Sequence, residues 1–186
     1  MNLSTTRCIA LVAASLVTAV AAAQDPFAYE GFQYGPGPEL NGRNGGAGWS
    51  NAWGKLSSIP TGIANTGLSW PNLITSGNGA YTAGFPSTTF TLYTRVLAPY
   101  TATDDTIYVS FLMEPGLGFG EGGGLSFSAV PAIIVGASLG QSMYGLTAPF
   151  VTSNDSNVPV LLRETALLVT RIVRNGDGTS TYTDHS

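Results

Sequence analysis

The run Asn41–Trp53 (NGRNGGAGWSNAW) constrains this chain more than any other stretch. It places four glycines within residues 42–48 and then Trp49 and Trp53, four positions apart. Glycine at that density costs too much backbone entropy for a regular element, so the run is a loop whose backbone needs positive φ or close approach. The two tryptophans are the largest apolar groups available, each able to bury roughly 200 Å². A freely turning approach followed by two heavy anchors predicts a loop laid across a hydrophobic core. The competing use of Trp49 and Trp53 is ligand binding, because exposed indole faces stack on pyranose rings.

The N-terminus reads as an export signal. Arg7 supplies a short positive region, residues 8–20 (CIALVAASLVTAV) form an apolar helix-length core, and Ala21-Ala22-Ala23 offers small residues before Gln24. The apolar run is shorter than the roughly 20 residues that a membrane span requires. Cys8 opens that run instead of following it, which argues against a lipoprotein. Residues 1–23 are therefore expected to be a signal-peptide helix cut between Ala23 and Gln24, leaving a mature domain of residues 24–186.

Cutting there removes the only cysteine, so the mature domain must hold together without disulfides or a thiolate metal site. About 160 residues can bury an adequate core unaided, and the pattern suits a bacterial secreted or envelope protein. Arg7 leaves as well, which moves the net charge from −4 to −5, and Lys55 is the sole lysine. Such a chain has no electrostatic footprint for nucleic acid.

The remaining sequence reads as short strands and turns. Residues 27–34 (FAYEGFQY) alternate in the manner of a strand with one buried face. Gly35-Pro36-Gly37-Pro38 ends it. Turns are expected at Pro71-Asn72 and at residues 76–79 (SGNG), and residues 89–97 form a β-rich run. Thr106–Met113 (TIYVSFLM) is the clearest strand, with Ile107, Val109, Phe111 and Met113 on one face. Shorter candidates are 125–130, 132–135 and 141–146, while 150–158 reads as a polar loop. Residues 165–174 (TALLVTRIVR) are apolar on both faces, as a central strand would be. Asn175-Gly176-Asp177-Gly178 is a hairpin turn leading to a return strand at 179–183. No helical spacing with caps occurs outside the signal. The fold class expected is an all-β antiparallel sandwich.

FAYEGFQY, the NGRNGGAGW..AW loop, LSWPNLITSGNGA, TIYVSFLM and ALLVTRIVRNGDG occur here in the order in which similar motifs run through a group of bacterial secreted proteins. The chain resembles those concanavalin-A-like or LamG-like jelly rolls, a largely uncharacterised group often carrying a PEP-CTERM-type sorting segment. The resemblance implies a jelly-roll sandwich, in a fold shared by lectins, adhesion modules and glycoside hydrolases. Members usually continue beyond the LLVTRI-like strand. The sheet is accordingly expected to lack a partner near its C-terminal side, and the chain to self-associate through that open edge.

Catalytic patterns are weak. Gly136-x-Ser138-x-Gly140 matches a nucleophile elbow, with Asp155 and His185 downstream, but an elbow needs a helix after the strand. A turn explains the same letters. Glu114 and Glu121 flank a glycine-rich loop and Asp104-Asp105 point to opposite faces, so no carboxylate pair suits a glycosidase. Gly118–Gly123 formally reads GxGxxG without the following helix that would hold phosphates. Asp104 with Asp105, or Asn154 with Asp155, could hold calcium; acidic turns are far commoner than calcium sites, and no cofactor is expected. The expectation is a secreted, non-catalytic binding or structural module whose partners are glycans or other envelope components. The alternative is a carbohydrate-active hydrolase with an unrecognised site. N-terminal sequencing of exported protein should return Gln24 as the first residue, and recovery of an intact Met1 would contradict the signal-peptide reading.

Overall fold

The computed structural model describes residues 26–57, 61–82, 91–99, 106–116, 123–127, 133–137, 142–147, 154–175 and 180–185. These residues are all-β, with no helix among them, and hence none long and apolar enough to cross a membrane. Residues 1–25, which carry the expected signal and its cut at Ala23 and Gln24, lie outside the described residues.

The second half of the chain contains two antiparallel sheets. One runs β6-β7-β8-β9, from Gly123–Phe127, Ile133–Ala137, Met143–Thr147 and Asn154–Pro159. The other runs β11-β10-β5, from Ser180–His185, Ala166–Arg174 and Thr106–Met113. Val135 and Ala137 of β7, Tyr144 of β8 and Leu168 of β10 form one buried cluster, with Phe111 and Met113 of β5 packed against it. The two sheets thus meet through their alternating apolar faces, which is sandwich-like packing. Tyr108 and Ser110 of β5 are exposed, so the alternation read in TIYVSFLM holds. The core also buries two hydroxyls, of Tyr144 and Thr170, that have no hydrogen-bond partner among the described residues. Burial pushes the Tyr144 phenol above its ordinary range, and the charge of Glu164 adds to the effect.

β10 occupies the central position expected of it, but it is not short of neighbours. β5 pairs with it along eight residues and β11 along six, from Arg174↔Ser180 to Val169↔His185. The open-edge argument therefore fails at β10. The return strand runs longer than 179–183 and takes His185 into the ladder. Leu168 and Thr170 are fully buried, whereas Leu167 and Val169 on the opposite face are only half-buried. The segment read as a polar loop at 150–158 also contains a strand, β9. Its residues pair with β8 through backbone groups that side-chain polarity does not reveal.

Gly136 sits inside β7, opposite Gly124 of β6 and Gly145 of β8. Its φ is 151°, and a Cβ there would lie 2.2 Å from the Gly123 carbonyl oxygen. The three glycines form a row across three strands, and at Gly124 and Gly136 the backbones come too close for side chains. β8 follows β7 after residues 138–142 and runs antiparallel to it. Gly136-x-Ser138-x-Gly140 therefore joins hairpin strands, and Ser138 itself is outside the described residues.

The first half is built differently. Its strands are pairs of residues: β1 (Gly54–Lys55) with β4 (Tyr93–Thr94), and β2 (Gly62–Ile63) with β3 (Ala80–Tyr81). Isolated bridges tie Tyr29 to Ala47, Gly37 to Ile63 and Trp49 to Leu97. The expected strand at 27–34 does not form. The Glu30 carboxylate accepts the Phe32 amide at 2.7 Å, and Phe32 takes a φ of 50°. This local side-chain bond competes with the ladder and turns the chain inward. Within 89–97 the only strand among the described residues is Tyr93–Thr94.

Candidate functional site

The glycine-rich loop is shaped as its composition requires. Gly42, Gly46 and Gly48 have φ of 77°, 69° and 75°. A Cβ on Gly46 would lie 2.2 Å from the Tyr29 carbonyl oxygen, and one on Gly48 would lie 2.1 Å from that of Phe27. Positive φ and close approach are thus both used, to lay the loop against residues 27–29. Tyr29 and Ala47 exchange amide hydrogen bonds of 3.0 and 2.9 Å. On the loop's other side, the Ser50 amide donates to Val96 at 2.9 Å and the Ala98 amide to Gly48 at 2.8 Å.

Trp49 and Trp53 are half-buried and face inward toward a cation. The Arg95 guanidinium lies 5.1 Å from the Trp49 ring centroid and 5.7 Å from that of Trp53. Phe32 stacks on Trp53 at 6.0 Å with 17° between planes. The Trp49 indole N–H donates to the Tyr29 carbonyl at 3.0 Å, and the Trp53 indole N–H to Glu30 Oε2 at 3.0 Å. Both polar handles are therefore engaged inside the protein.

Glu30 and Arg95 form the centre of this arrangement. Arg95 Nη1 pairs with Glu30 Oε2, and the two side chains are only 2% and 9% exposed. Arg95 Nε donates to the Asn51 carbonyl at 2.8 Å and Nη2 to Asn44 Oδ1 at 2.7 Å. Glu30 Oε2 also accepts the Tyr34 hydroxyl at 2.8 Å. Desolvation, followed by the hydrogen bond to Glu30, pushes the Tyr34 phenol upward. The sequence reading missed Glu30 and Arg95, although Arg95 is one of few cations available in this half.

A second cluster lies at Glu39. Its Oε1 accepts the Tyr93 hydroxyl and the Asn41 amide, the latter at 3.1 Å, and its Oε2 pairs with Lys55 Nζ at 3.0 Å. Asn41 Oδ1 in turn accepts the Lys55 amide at 2.9 Å, and the Tyr93 oxygen accepts the Thr61 amide at 3.0 Å. The hydrogen bond from Tyr93 is the main cause that holds Glu39 down at about 2, with Lys55 and the Asn41 amide assisting. Lys55 is raised by the same partnership.

Other expected site residues do not converge on these clusters. Asn154 and Asp155 belong to β9, opposite Leu146 and Gly145, instead of a loop. Asp104 and Asp105 are outside the described residues, as is Glu121. Glu114 accepts the Thr165 hydroxyl at 3.1 Å. No group of three or more His, Cys, Asp or Glu that could hold a metal occurs among the described residues. No family model, curated protein or solved structure matches the chain.

The Glu39 cluster makes stability depend on acid. The folded pKa is near 2 and the ordinary value is 4.5, so between these the unfolded chain binds a proton that the folded chain does not. The contribution is complete above about pH 4.5 and is lost as pH falls toward 2. Urea midpoints of wild type and Glu39→Gln should therefore differ most near pH 6 and converge by about pH 2. A difference that stays constant across this range would contradict the assignment.

Proposed function

We propose that the chain is an exported, non-catalytic binding or structural module of the cell envelope or extracellular space, with a jelly-roll sandwich of the concanavalin-A-like type. The observation that carries this reading is how the ionisable groups are used. Both Glu30 oxygens and both Glu39 oxygens already accept hydrogen bonds from the protein itself. A general acid or nucleophile on a sugar needs a carboxyl that faces the substrate; these two face their own donors. Arg95 is likewise committed: it pairs with Glu30 and lies against two indoles.

Glycans or other envelope components are the partner class that best suits a module so poor in charge. Trp49 and Trp53 support the module by fixing the loop: their N–H groups go to Tyr29 and Glu30, and the Arg95 guanidinium lies against both rings. Trp49→Ala should lower stability by about 2–4 kcal/mol, reflecting a half-buried ring and a lost cation–π contact. Thermal melts combined with a glycan array test this. A variant with an unchanged melting temperature that has lost glycan binding would make the indoles a ligand platform. Release of reducing sugar from a bound glycan would overturn the non-catalytic reading.

A further inference from the structure

Residues 56–94 contain no Asp, Glu, Lys or Arg. In the middle of that stretch the β2–β3 hairpin carries a long loop. Its neck is closed by the Ala64 amide donating to Gly79 at 2.8 Å, with Gly67 packed against the backbone of residues 77 and 78. The loop is also fastened from the side. The Asn78 amide donates to Gly31 at 3.0 Å, its side-chain amide donates to Tyr34 at 2.7 Å, and the Tyr29 hydroxyl meets Ser76 Oγ at 2.9 Å.

The tip beyond these fastenings is a tight turn. Pro71 and Asn72 occupy its corners, Asn72 has a φ of 64°, and the Leu73 amide donates to the Trp70 carbonyl at 3.1 Å. Proline followed by a positive-φ residue is the pattern of a type II turn, so the tip is pre-shaped. What it displays is apolar. Trp70 is 37% exposed, Leu73 45% and Ile74 99%. A lone exposed apolar residue is ordinary; three on one fastened turn mark a contact surface.

We propose that this tip docks the protein on a neutral lipid bilayer, with Trp70 at headgroup level and Leu73 and Ile74 entering the acyl boundary. Charge decides the occupant. No ionised group anywhere in residues 56–94 would have to shed water as the tip enters. The same stretch has no Lys or Arg to seek anionic headgroups, and the whole chain is net negative. A sugar would require several polar groups converging beside the ring, whereas the exposed large side chains that share this turn with Trp70 are the aliphatic Leu73 and Ile74. Indole suits the interface because one edge is polar and the rest apolar. Insertion is shallow, because the backbone amides of a turn cannot enter hydrocarbon unpaired. Three side chains give weak, reversible attachment, below the roughly 10⁴ M⁻¹ of one myristoyl chain.

Co-sedimentation of the exported protein with pure phosphatidylcholine vesicles at millimolar lipid tests the proposal. Ile74→Ser should weaken partitioning about tenfold and Leu73→Ser with Ile74→Ser should abolish it. Melting temperatures should stay unchanged, because Ile74 is fully exposed and Leu73 nearly half so. Replacing a fifth of the lipid with phosphatidylserine should not increase binding. Failure of the wild-type protein to sediment with vesicles would overturn the proposal. So would equal binding by the folded Ile74→Ser protein, or binding that requires the anionic lipid. Loss of self-association or of glycan retention in Ile74→Ser, without vesicle binding by wild type, would assign the tip to a protein or sugar instead.

Discussion

The first half of this protein depends on one buried ion pair. Enclosing two charges costs several kcal/mol per ion unless the remaining hydrogen-bonding capacity is also met. Glu30 meets that condition by accepting from the Phe32 amide, the Tyr34 hydroxyl and the Trp53 indole besides Arg95. Arg95 meets it by donating to Asn51 and Asn44 and lying against two indole rings. These partners span residues 30–53 and residue 95, so one interaction ties three separated stretches together. The glycines then follow as a requirement: only a backbone free to adopt positive φ can bring Trp49 and Trp53 to the guanidinium while touching residues 27–29.

The second half has a different basis. Its strands are long enough to be fixed by ladders, and Leu168, Val135, Ala137 and Tyr144 give it a continuous apolar centre. Among the described residues of the first half, by contrast, the buried apolar side chains are Leu40 and Ile63, and the strands are two residues long. Side-chain hydrogen bonds take the place of core area there. A hydrophobic core tolerates many substitutions of similar volume. A charged cluster does not, because each member leaves another buried group without its partner.

What could be read from the sequence follows from how local the cause is. The positive φ of Gly42, Gly46 and Gly48, the turn at Pro71-Asn72 and the alternation in TIYVSFLM depend on near neighbours, and each is present. The pairing of Glu30 with Arg95 joins residues 65 positions apart, and each lies in a stretch whose alternation makes a charged side chain look solvent-facing. The same alternation made 27–34 look like a strand, whereas Glu30 turns inward and bends it. The signal for the pair is scarcity: the whole chain has seven Lys and Arg, and Arg95 sits in a run of aromatic and apolar residues. β9 was hidden for the opposite reason, since its polar side chains conceal a backbone ladder to β8.

A double-mutant cycle on Glu30→Gln and Arg95→Met tests most directly whether this pair holds the first half together. Each single change should cost about 3–5 kcal/mol in denaturant unfolding, because it strands a buried charge or its donors. The double variant should cost less than the sum by about 2 kcal/mol or more. Single costs below about 1 kcal/mol that simply add would show that the two side chains act independently, and would contradict the account.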